Sequence, residues 1–362
     1  MKYLKKFDTH AEYEAAKEAL PTHNTSICAD EQITGDTYSV VHYDEIINRS
    51  IMLKKATEVE NYTISLTHNP DFTNVDYFII DGEKVEKSTS INLEGIGVHT
   101  VYIVLKEGTT EFPNNLLLGL DESFVKVTIP TIINKVGSQS FAGSTSDVYE
   151  FKGIITATSF VSFADMTLNS FDFKHLIEIG QASFERTIIN TTDLNLPILK
   201  EIKGSGLCRL NGVENITIGK FLESTVGTTF MECPNLKSVV IDSIILPEIK
   251  DGEFTTCPNL ETVNIKSRNL TKVGDTAFQS CPKLKTVTLR SEVLESIGLN
   301  AFDGCTALTT VNIYALVPPT IQEDLFDSAD LSTLRIRVKR GLGDVYKEAW
   351  PQYADNINAM LR

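Results

Sequence analysis

The sequence predicts a mainly β chain in which a right-handed solenoid of short repeats follows a small β-sandwich. The first observation is a line of nine residues, Cys-x-x-Leu-x-x-Val-x-Ile or Leu, whose copies begin 24 residues apart at Cys233, Cys257, Cys281 and Cys305. A constant period in the range of about 20–29 residues with this apolar pattern is typical of leucine-rich-repeat solenoids. The second observation is an alternation of apolar and polar residues before residue 106, which is typical of sandwich strands.

Each repeat is expected to contain one short strand. Val263 and Ile265 stand two residues apart, so both side chains point to the same face, the interior of the solenoid. Asn264 and Lys266 point outward. One coil buries too few apolar side chains to offset the conformational entropy of its own residues, so stacking on neighbouring coils is required.

Five of the six cysteines recur with the coil, at Cys208, Cys233, Cys257, Cys281 and Cys305. Their spacing does not match that of zinc sites, so we expect a column of small buried thiols and no metal. The same column argues against a disulfide framework. Cys28 lies outside the column and has no evident partner.

Residues 1–50 are predicted to form a small helix-plus-hairpin module. Thr9 and Glu12 have the spacing of a helix capping box, and Pro21 ends the short helix. Two strand candidates follow, at residues 25–29 and 38–43.

Residues 51–105 are predicted to form a small immunoglobulin-like β-sandwich, a term used here for the architecture only. Five or six short strands fit this stretch, and Asp81-Gly82 is a strong hairpin signal. The repeat pattern continues backward from the solenoid, with interior pairs 22 to 24 residues apart at Ile103/Leu105, Val127/Ile129, Tyr149/Phe151, Phe171/Phe173, Leu194/Leu196 and Ile216/Ile218. We therefore expect the last sandwich strand to be the first solenoid strand.

The solenoid is assigned to residues 106–340, with Leu334 to Val338 as its last strand. Residues 341–362 are predicted to form a C-terminal cap, in which Val345, Trp350 and Ile357 recur at near-helical spacing. Such a cap covers the apolar face and the open sheet edge at the end of a solenoid.

Composition and motifs exclude several classes of function. The net charge of −15 repels a phosphate backbone, so nucleic acid is not expected as a partner. No apolar run approaches the ~18 residues of a transmembrane helix. The histidines fall in no metal-protease motif, and no nucleophile elbow is present, so we expect no catalytic residue, metal or cofactor.

The pattern Cys-x-x-Leu-x-x-Val-x-Ile followed by Leu-x-x-Ile-Gly and Ala-Phe resembles the BspA-type, or Treponema-type, leucine-rich repeat. The resemblance covers roughly residues 105–357 and is most specific in residues 233–313. It implies a non-enzymatic bacterial cell-surface protein that binds a host or matrix protein or a glycan, and we expect a monomer. The alternatives are a structural or receptor-binding component of a phage-like particle and, third, a hydrolase.

The start of the chain bears on where the protein acts. Residues 1–20 contain a basic pair but not the apolar segment of a signal peptide. We expect the cell surface or the extracellular space if a leader has been removed, and a virion as the alternative.

The outward strand positions of the C-terminal coils are the candidate partner-binding site. They become basic toward the end of the solenoid and include Tyr and Arg, which are enriched in binding hot spots. The predicted residues are Lys266, Arg290, Tyr314, Arg335, Arg337 and Lys339. An ordinary solvated face of mixed charge is the alternative.

Overall fold

A computed structural model describes residues 5–7, 25–29, 38–42, 48–66, 69–119, 124–144 and 149–359. The chain divides into two compact units. The first comprises Met1–Ile155 with Asn169–Phe171, and the second comprises Thr156–Leu168 with Asp172–Arg362. The predicted mainly β solenoid is confirmed.

Three short strands near the N-terminus form an antiparallel sheet: β1 (Lys5–Phe7), β2 (Thr25–Ala29) and β3 (Tyr38–His42). β3 lies in the centre and pairs with both others. The predicted pair of strands is therefore confirmed. The predicted helix with its Thr9 cap lies outside the described residues.

A six-stranded sheet dominates the first unit. Its strands are β4 (Ser50–Thr57), β6 (Val75–Ile80), β7 (Glu83–Val85), β9 (Gly97–Leu105), β11 (Lys126–Ile129) and β13 (Tyr149–Phe151). They lie side by side in the order β13-β11-β4-β9-β6-β7. Two further pairs are the antiparallel β5 (Asn61–Ser65) and β8 (Ser90–Glu94), and the parallel β10 (Glu111–Phe112) and β12 (Lys135–Val136). The predicted hairpin is confirmed: β6 pairs with β7 across Asp81 and Gly82, both of which have positive φ. The immunoglobulin-like description stays a prediction.

The predicted junction of sandwich and solenoid is wrong in one respect. β9, the last long antiparallel strand, has both edges occupied by β4 and β6. The first coil strand, β11, pairs instead with the other edge of β4, where Val127 lies opposite Leu53. β13 then adds in parallel to β11. One sheet thus changes from antiparallel to parallel pairing at β11, which pairs antiparallel with β4 and parallel with β13.

The second unit is built from stacked coils whose strands pair in parallel. One face is the sheet of β18 (Asp193–Leu196), β20 (Asn215–Ile218), β22 (Ser238–Asp242), β24 (Thr262–Lys266), β26 (Thr286–Arg290), β28 (Thr310–Ile313), β29 (Arg335–Val338) and β30 (Ile357–Ala359). The two-residue strands elsewhere in the coils are β14 (Ala157–Thr158), β15 (Thr167–Leu168), β16 (Glu178–Ile179), β17 (Ile188–Ile189), β19 (Glu201–Ile202), β21 (Ser224–Thr225), β23 (Glu248–Ile249), β25 (Lys272–Val273) and β27 (Ser296–Ile297). The register is strict, because Val263 pairs with Val239 on one side and with Val287 on the other.

One predicted coil strand is absent. Phe171 and Phe173 are not in a strand; a 3-10 helix occupies Phe173–His175 instead. The Asp172 carboxylate accepts a hydrogen bond from the Lys174 N–H at 3.1 Å and caps this turn.

Aromatic rings form a continuous column in the interior of the second unit. Neighbouring ring centroids are 5.1 to 5.3 Å apart, and the rings are stacked. The column consists of Phe230, Phe254, Phe278, Phe302 and Phe326. Tyr353 packs edge-to-face on Phe326 at 5.2 Å and closes it. The ring spacing is close to the roughly 4.8 Å between neighbouring strands. The backbone hydrogen bonds that hold the strands together therefore also set the distance between the rings.

The predicted column of thiols is confirmed, and it has a role beyond packing. The Cys257 thiol donates to the Phe230 carbonyl at 3.0 Å, and the Cys281 thiol donates to the Phe254 carbonyl at 3.1 Å. These bonds give the buried carbonyls of the preceding coil a partner. Burial also raises the pKa of the Cys208 thiol to about 11, which makes it a poor nucleophile.

A second polar column serves the same purpose at another corner of the coil. Each of three buried serines donates its hydroxyl to a leucine carbonyl 21 residues earlier, at 2.6 to 2.7 Å. The pairs are Ser243 with Leu222, Ser267 with Leu246, and Ser291 with Leu270.

The C-terminal cap contains helix α1 (Gly343–Ala349) and a 3-10 helix (Pro351–Asn356). The prediction that residues 334–338 form the last strand is wrong, because β30 follows the helices and pairs in parallel with β29. Trp350 is 2 % exposed and donates from Nε1 to the Pro319 carbonyl at 3.1 Å. Its role as a cap residue stays a prediction.

The first testable prediction concerns the strand register. Ile265→Ala removes a fully buried side chain between two coils, so we expect the free energy of unfolding to fall by about 2–5 kcal/mol. Thr286→Ala changes an outward residue of the next strand and should alter stability by no more than about 0.5 kcal/mol. Urea unfolding followed by the fluorescence of Trp350, the only tryptophan, measures both. Equal losses would contradict the register.

One side chain interrupts the apolar interior. Glu253 is 1 % exposed, and neither of its carboxylate oxygens has a hydrogen-bond partner among the described residues. Ala277 and Ala301 hold the corresponding position in the next two coils. Burial raises the pKa of the Glu253 carboxyl to about 7. The carboxyl is therefore neutral in the folded protein at mildly acidic pH.

The second prediction follows from this pKa. A carboxyl with a raised pKa in the folded state destabilises the fold as pH rises, because ionisation is easier in the unfolded chain. The loss begins above the ordinary value of 4.5 and is complete above about 7. It amounts to about 3 kcal/mol. Glu253→Gln should remove this part of the pH dependence when Trp350 fluorescence is followed in urea at pH 4.5, 6 and 8.

The matched control for this experiment is Glu295→Gln, which alters an exposed carboxyl of the same unit and should leave the pH dependence unchanged. A Glu253→Gln variant with the pH dependence of the wild type would show that the carboxyl is not the titrating group.

Candidate functional site: a basic groove on the C-terminal coils

The outward residues of the last four strands of the large sheet lie in rows. One row runs across β26, β28, β29 and β30, through Thr288, Asn312, Arg337 and Asn358. Neighbouring members of such a row are about 4.8 Å apart. The alternate residues are buried, so the polar side chains face solvent. The sheet therefore fixes the lateral spacing of these groups.

These strands form a groove of about 570 Å³, which we call the basic groove. Its lining contains three arginines and tyrosine, amide and hydroxyl groups, with Ala359 as the apolar member: Thr288, Arg290, Asn312, Tyr314, Arg335, Arg337, Asn358 and Ala359. The volume falls in the roughly 300–1,000 Å³ range of small-molecule sites. Most of the lining residues carry polar or charged side chains.

Local contacts hold several of these side chains in place. The guanidinium of Arg290 lies over the ring of Tyr314, 5.6 Å from its centroid. At an exposed site such a contact contributes about 0.5–1 kcal/mol. The Asn312 side-chain amide donates to the Thr288 hydroxyl at 2.9 Å. Arg335 donates from its guanidinium to its own neighbour, the Leu334 carbonyl, at 2.8 Å. The groove is thus partly organised before a ligand enters.

The six predicted site residues separate into two groups by their charge partners. Lys266 pairs with Asp242 at 2.8 Å, and Lys339 pairs with Glu292 at 2.7 Å. The hydrogen bond from Lys339 lowers the pKa of the Glu292 carboxyl. Neither lysine lines the groove.

The other four predicted residues, Arg290, Tyr314, Arg335 and Arg337, come together in the groove. Within the described part of the chain, none of the three guanidinium groups pairs with a carboxylate. The structure therefore brings together three positive charges that are not neutralised, in a protein with a net charge of −15.

The site predicted from the sequence omits Thr288, Asn312 and Asn358. The repeat pattern does predict the first two as outward residues of this face, because they stand two residues before Arg290 and Tyr314. Asn358 gave no such signal, since it lies in a three-residue strand that follows two helical segments.

One cluster in the first unit has the residue types of a catalytic triad. His99 is buried, with Nδ1 2.6 Å from an Asp81 carboxylate oxygen and Nε2 3.1 Å from the Thr57 hydroxyl. Nε2 also lies 3.0 Å from the Gly95 carbonyl, which only accepts hydrogen bonds, so Nε2 is a donor. It therefore does not accept the Thr57 proton.

The charge state of His99 agrees with this assignment. The hydrogen bond to Asp81 raises the pKa of the imidazole, which favours the form that donates from both nitrogens. The cluster joins β4 to the turn before β9 and acts as a structural clamp within the first unit.

The described residues contain no group of three or more metal-ligating side chains of the His, Cys, Asp and Glu types. No helix among them has the length and apolarity needed to cross a bilayer.

Solved structures similar to this chain are bacterial leucine-rich repeat proteins. The pneumococcal vaccine antigen PcpA is 15 % identical, with a TM-score of 0.36, over 69 % of this chain and 83 % of its own. A leucine-rich repeat protein from Bacteroides ovatus is 16 % identical, with a TM-score of 0.35, over 59 % and 71 %. A leucine-rich cell surface protein from Faecalibacterium prausnitzii is 15 % identical, with a TM-score of 0.32, over 72 % and 83 %. No curated protein matches the chain.

The family model described as the BspA type leucine-rich repeat region matches six copies, in residues 110–237 and 223–340. These two overlapping ranges cover more than half of the 362 residues. They include the coils that form the basic groove up to β29. The resemblance drawn from the repeat pattern is thereby confirmed. The chain belongs to the BspA-type leucine-rich repeat family.

Proposed function

We propose that this protein is a non-enzymatic binding protein of the bacterial surface, and that its partner docks in the basic groove. The observation that carries the proposal is the set of three guanidinium groups on one sheet face that have no carboxylate partner among the described residues. In a protein with a net charge of −15, such a set is the natural place for an anionic partner.

Guanidinium groups suit this role better than ammonium groups. Each is planar, always charged and able to donate two parallel hydrogen bonds to one carboxylate or sulfate. Arg and Tyr are also the types most enriched among residues that dominate binding energy. Lys266 and Lys339 are expected to contribute little, because each already pairs with an acidic residue.

The fold supports recognition on this face because the scaffold below it is continuous. The strands that carry the groove are hydrogen-bonded in register, and their interior side chains are buried. The partner therefore meets groups whose spacing is already set, which lowers the entropic cost of binding.

The third prediction tests the groove directly. The triple variant Arg290→Glu, Arg335→Glu, Arg337→Glu should lose at least about 90 % of partner binding, since each contact to a charged group contributes about 1.5–3 kcal/mol. Binding is measured by capture on immobilised matrix proteins and glycans. It should also weaken in salt, because the Debye length falls from about 10 Å at 0.1 M to about 3 Å at 1 M.

The matched control reverses three exposed positive residues that do not line the groove, Lys174, Lys220 and Arg268. It changes the net charge by the same amount and should retain the partner. Circular dichroism and Trp350 fluorescence establish that both variants fold. Equal binding by the two folded variants would contradict the proposal.

A further inference from the structure

We infer that the ligand of the basic groove is an acidic oligosaccharide, one that carries several carboxylate or sulfate groups. This inference rests on the proposed function and narrows it to one ligand class. The argument depends on three features of the groove: the chemistry of its lining, the spacing of its charges and the position of its aromatic ring.

Most of the residues that line the groove carry hydrogen-bonding groups. Asn312, Asn358 and Thr288 present amide and hydroxyl groups, and the only apolar residue that lines the groove is Ala359. Ligand pockets are usually lined by hydrophobic side chains, and protein partners usually insert an aromatic or aliphatic anchor. A sugar presents many hydroxyl groups and few apolar ones, so its chemistry matches this lining.

The three arginines leave the backbone at separate points of the groove. Arg335 and Arg337 stand two residues apart on one strand, which places them roughly 6.6 Å apart along it. Arg290 lies two strands away from β29, roughly 10 Å across the sheet. A short chain of acidic sugars places its anions at intervals and can contact the three arginines together.

Tyr314 directly follows β28, the strand that separates β26 from β29, and the Arg290 guanidinium lies over its ring. An aromatic ring beside polar groups combines an apolar surface with a polar tip, which suits the C–H face and the hydroxyl edge of a pyranose. The contact with Arg290 restricts the orientation of the ring and of the guanidinium. Both groups are thus held where successive sugar units would lie.

Two other polyanions fit less well. An acidic peptide supplies separated carboxylates but few of the hydroxyl groups that would pair with the amide and hydroxyl side chains of this lining. Single-stranded nucleic acid is bound by several aromatic platforms along a basic channel, whereas this groove contains one ring in a protein with a net charge of −15.

The test is a calorimetric titration of the full chain at low salt with defined probes. Trigalacturonic acid supplies carboxylates, a heparin-derived tetrasaccharide supplies sulfates as well, and maltotriose is the neutral control. We expect saturable binding of at least one acidic saccharide and none of maltotriose. Binding of trigalacturonic acid identifies carboxylate as sufficient, whereas binding of the heparin fragment alone identifies sulfate as required.

Variants locate the binding in the groove. Arg337→Gln should weaken binding of the acidic saccharide at least tenfold, and Arg268→Gln, outside the groove, should leave it unchanged. Tyr314→Ala should also weaken it at least tenfold, whereas Tyr314→Phe keeps the ring and should retain most of the affinity.

Three results would overturn the inference. They are no binding of either acidic saccharide to the wild-type chain, equal affinity of the Arg337→Gln and Arg268→Gln variants, and tighter binding of a glutamate octapeptide or an oligothymidylate than of both saccharides. Failure here is distinct from failure of the proposed function. If the triple arginine variant loses a captured partner while neither saccharide binds, the groove binds another class of ligand.

Discussion

The stacking of each coil on the next is the interaction on which the rest of the second unit depends. Parallel strands fix the coil separation near 4.8 Å, and the stacked phenylalanine rings follow it at 5.1 to 5.3 Å. Because the sequence repeats with the coil, every interior position meets its own equivalent. Packing, hydrogen bonding and ring stacking therefore share one register. A substitution in one coil is expected to alter the contacts of both neighbouring coils.

The same stacking buries backbone carbonyls that need hydrogen-bond donors, and the cysteine and serine columns supply these donors. A coil turns sharply at its corners, where backbone carbonyls leave the ladder and are buried. Cys257 and Ser267 each donate to such a carbonyl in the preceding coil, at 3.0 and 2.6 Å. An unpaired buried carbonyl costs about 1–3 kcal/mol, so these small donors are needed rather than tolerated. Glu253 is the opposite case, since its buried oxygens have no partner in the described structure and its pKa rises in consequence.

Sequence alone predicted the regular coils because their information is local and periodic. It failed where the pairing partner is distant or the segment is short. The alternation of apolar and polar residues in β11 is the same whether β9 or β4 lies beside it. The sequence of β11 therefore could not show that its partner is β4. Phe171 and Phe173 kept the repeat spacing, yet a capped turn replaced the strand. β30 has three residues, and it is a strand because β29 supplies an edge, not because of its own pattern.

For the candidate site, the sequence predicts which residues share a face but not which of their charges are paired. Residue type and strand alternation placed Arg290, Tyr314, Arg335 and Arg337 on one face, and the structure gathers them in one groove. Whether a charge is available to a ligand depends on its neighbours, however. Asp242 stands one repeat before Lys266, so that pairing was visible in the period. Glu292 reaches Lys339 from 47 residues away, across coils, and only the fold brings them together. A repeat sequence thus specifies which groups share a face, and the stacked coils decide which of their charges stay unpaired.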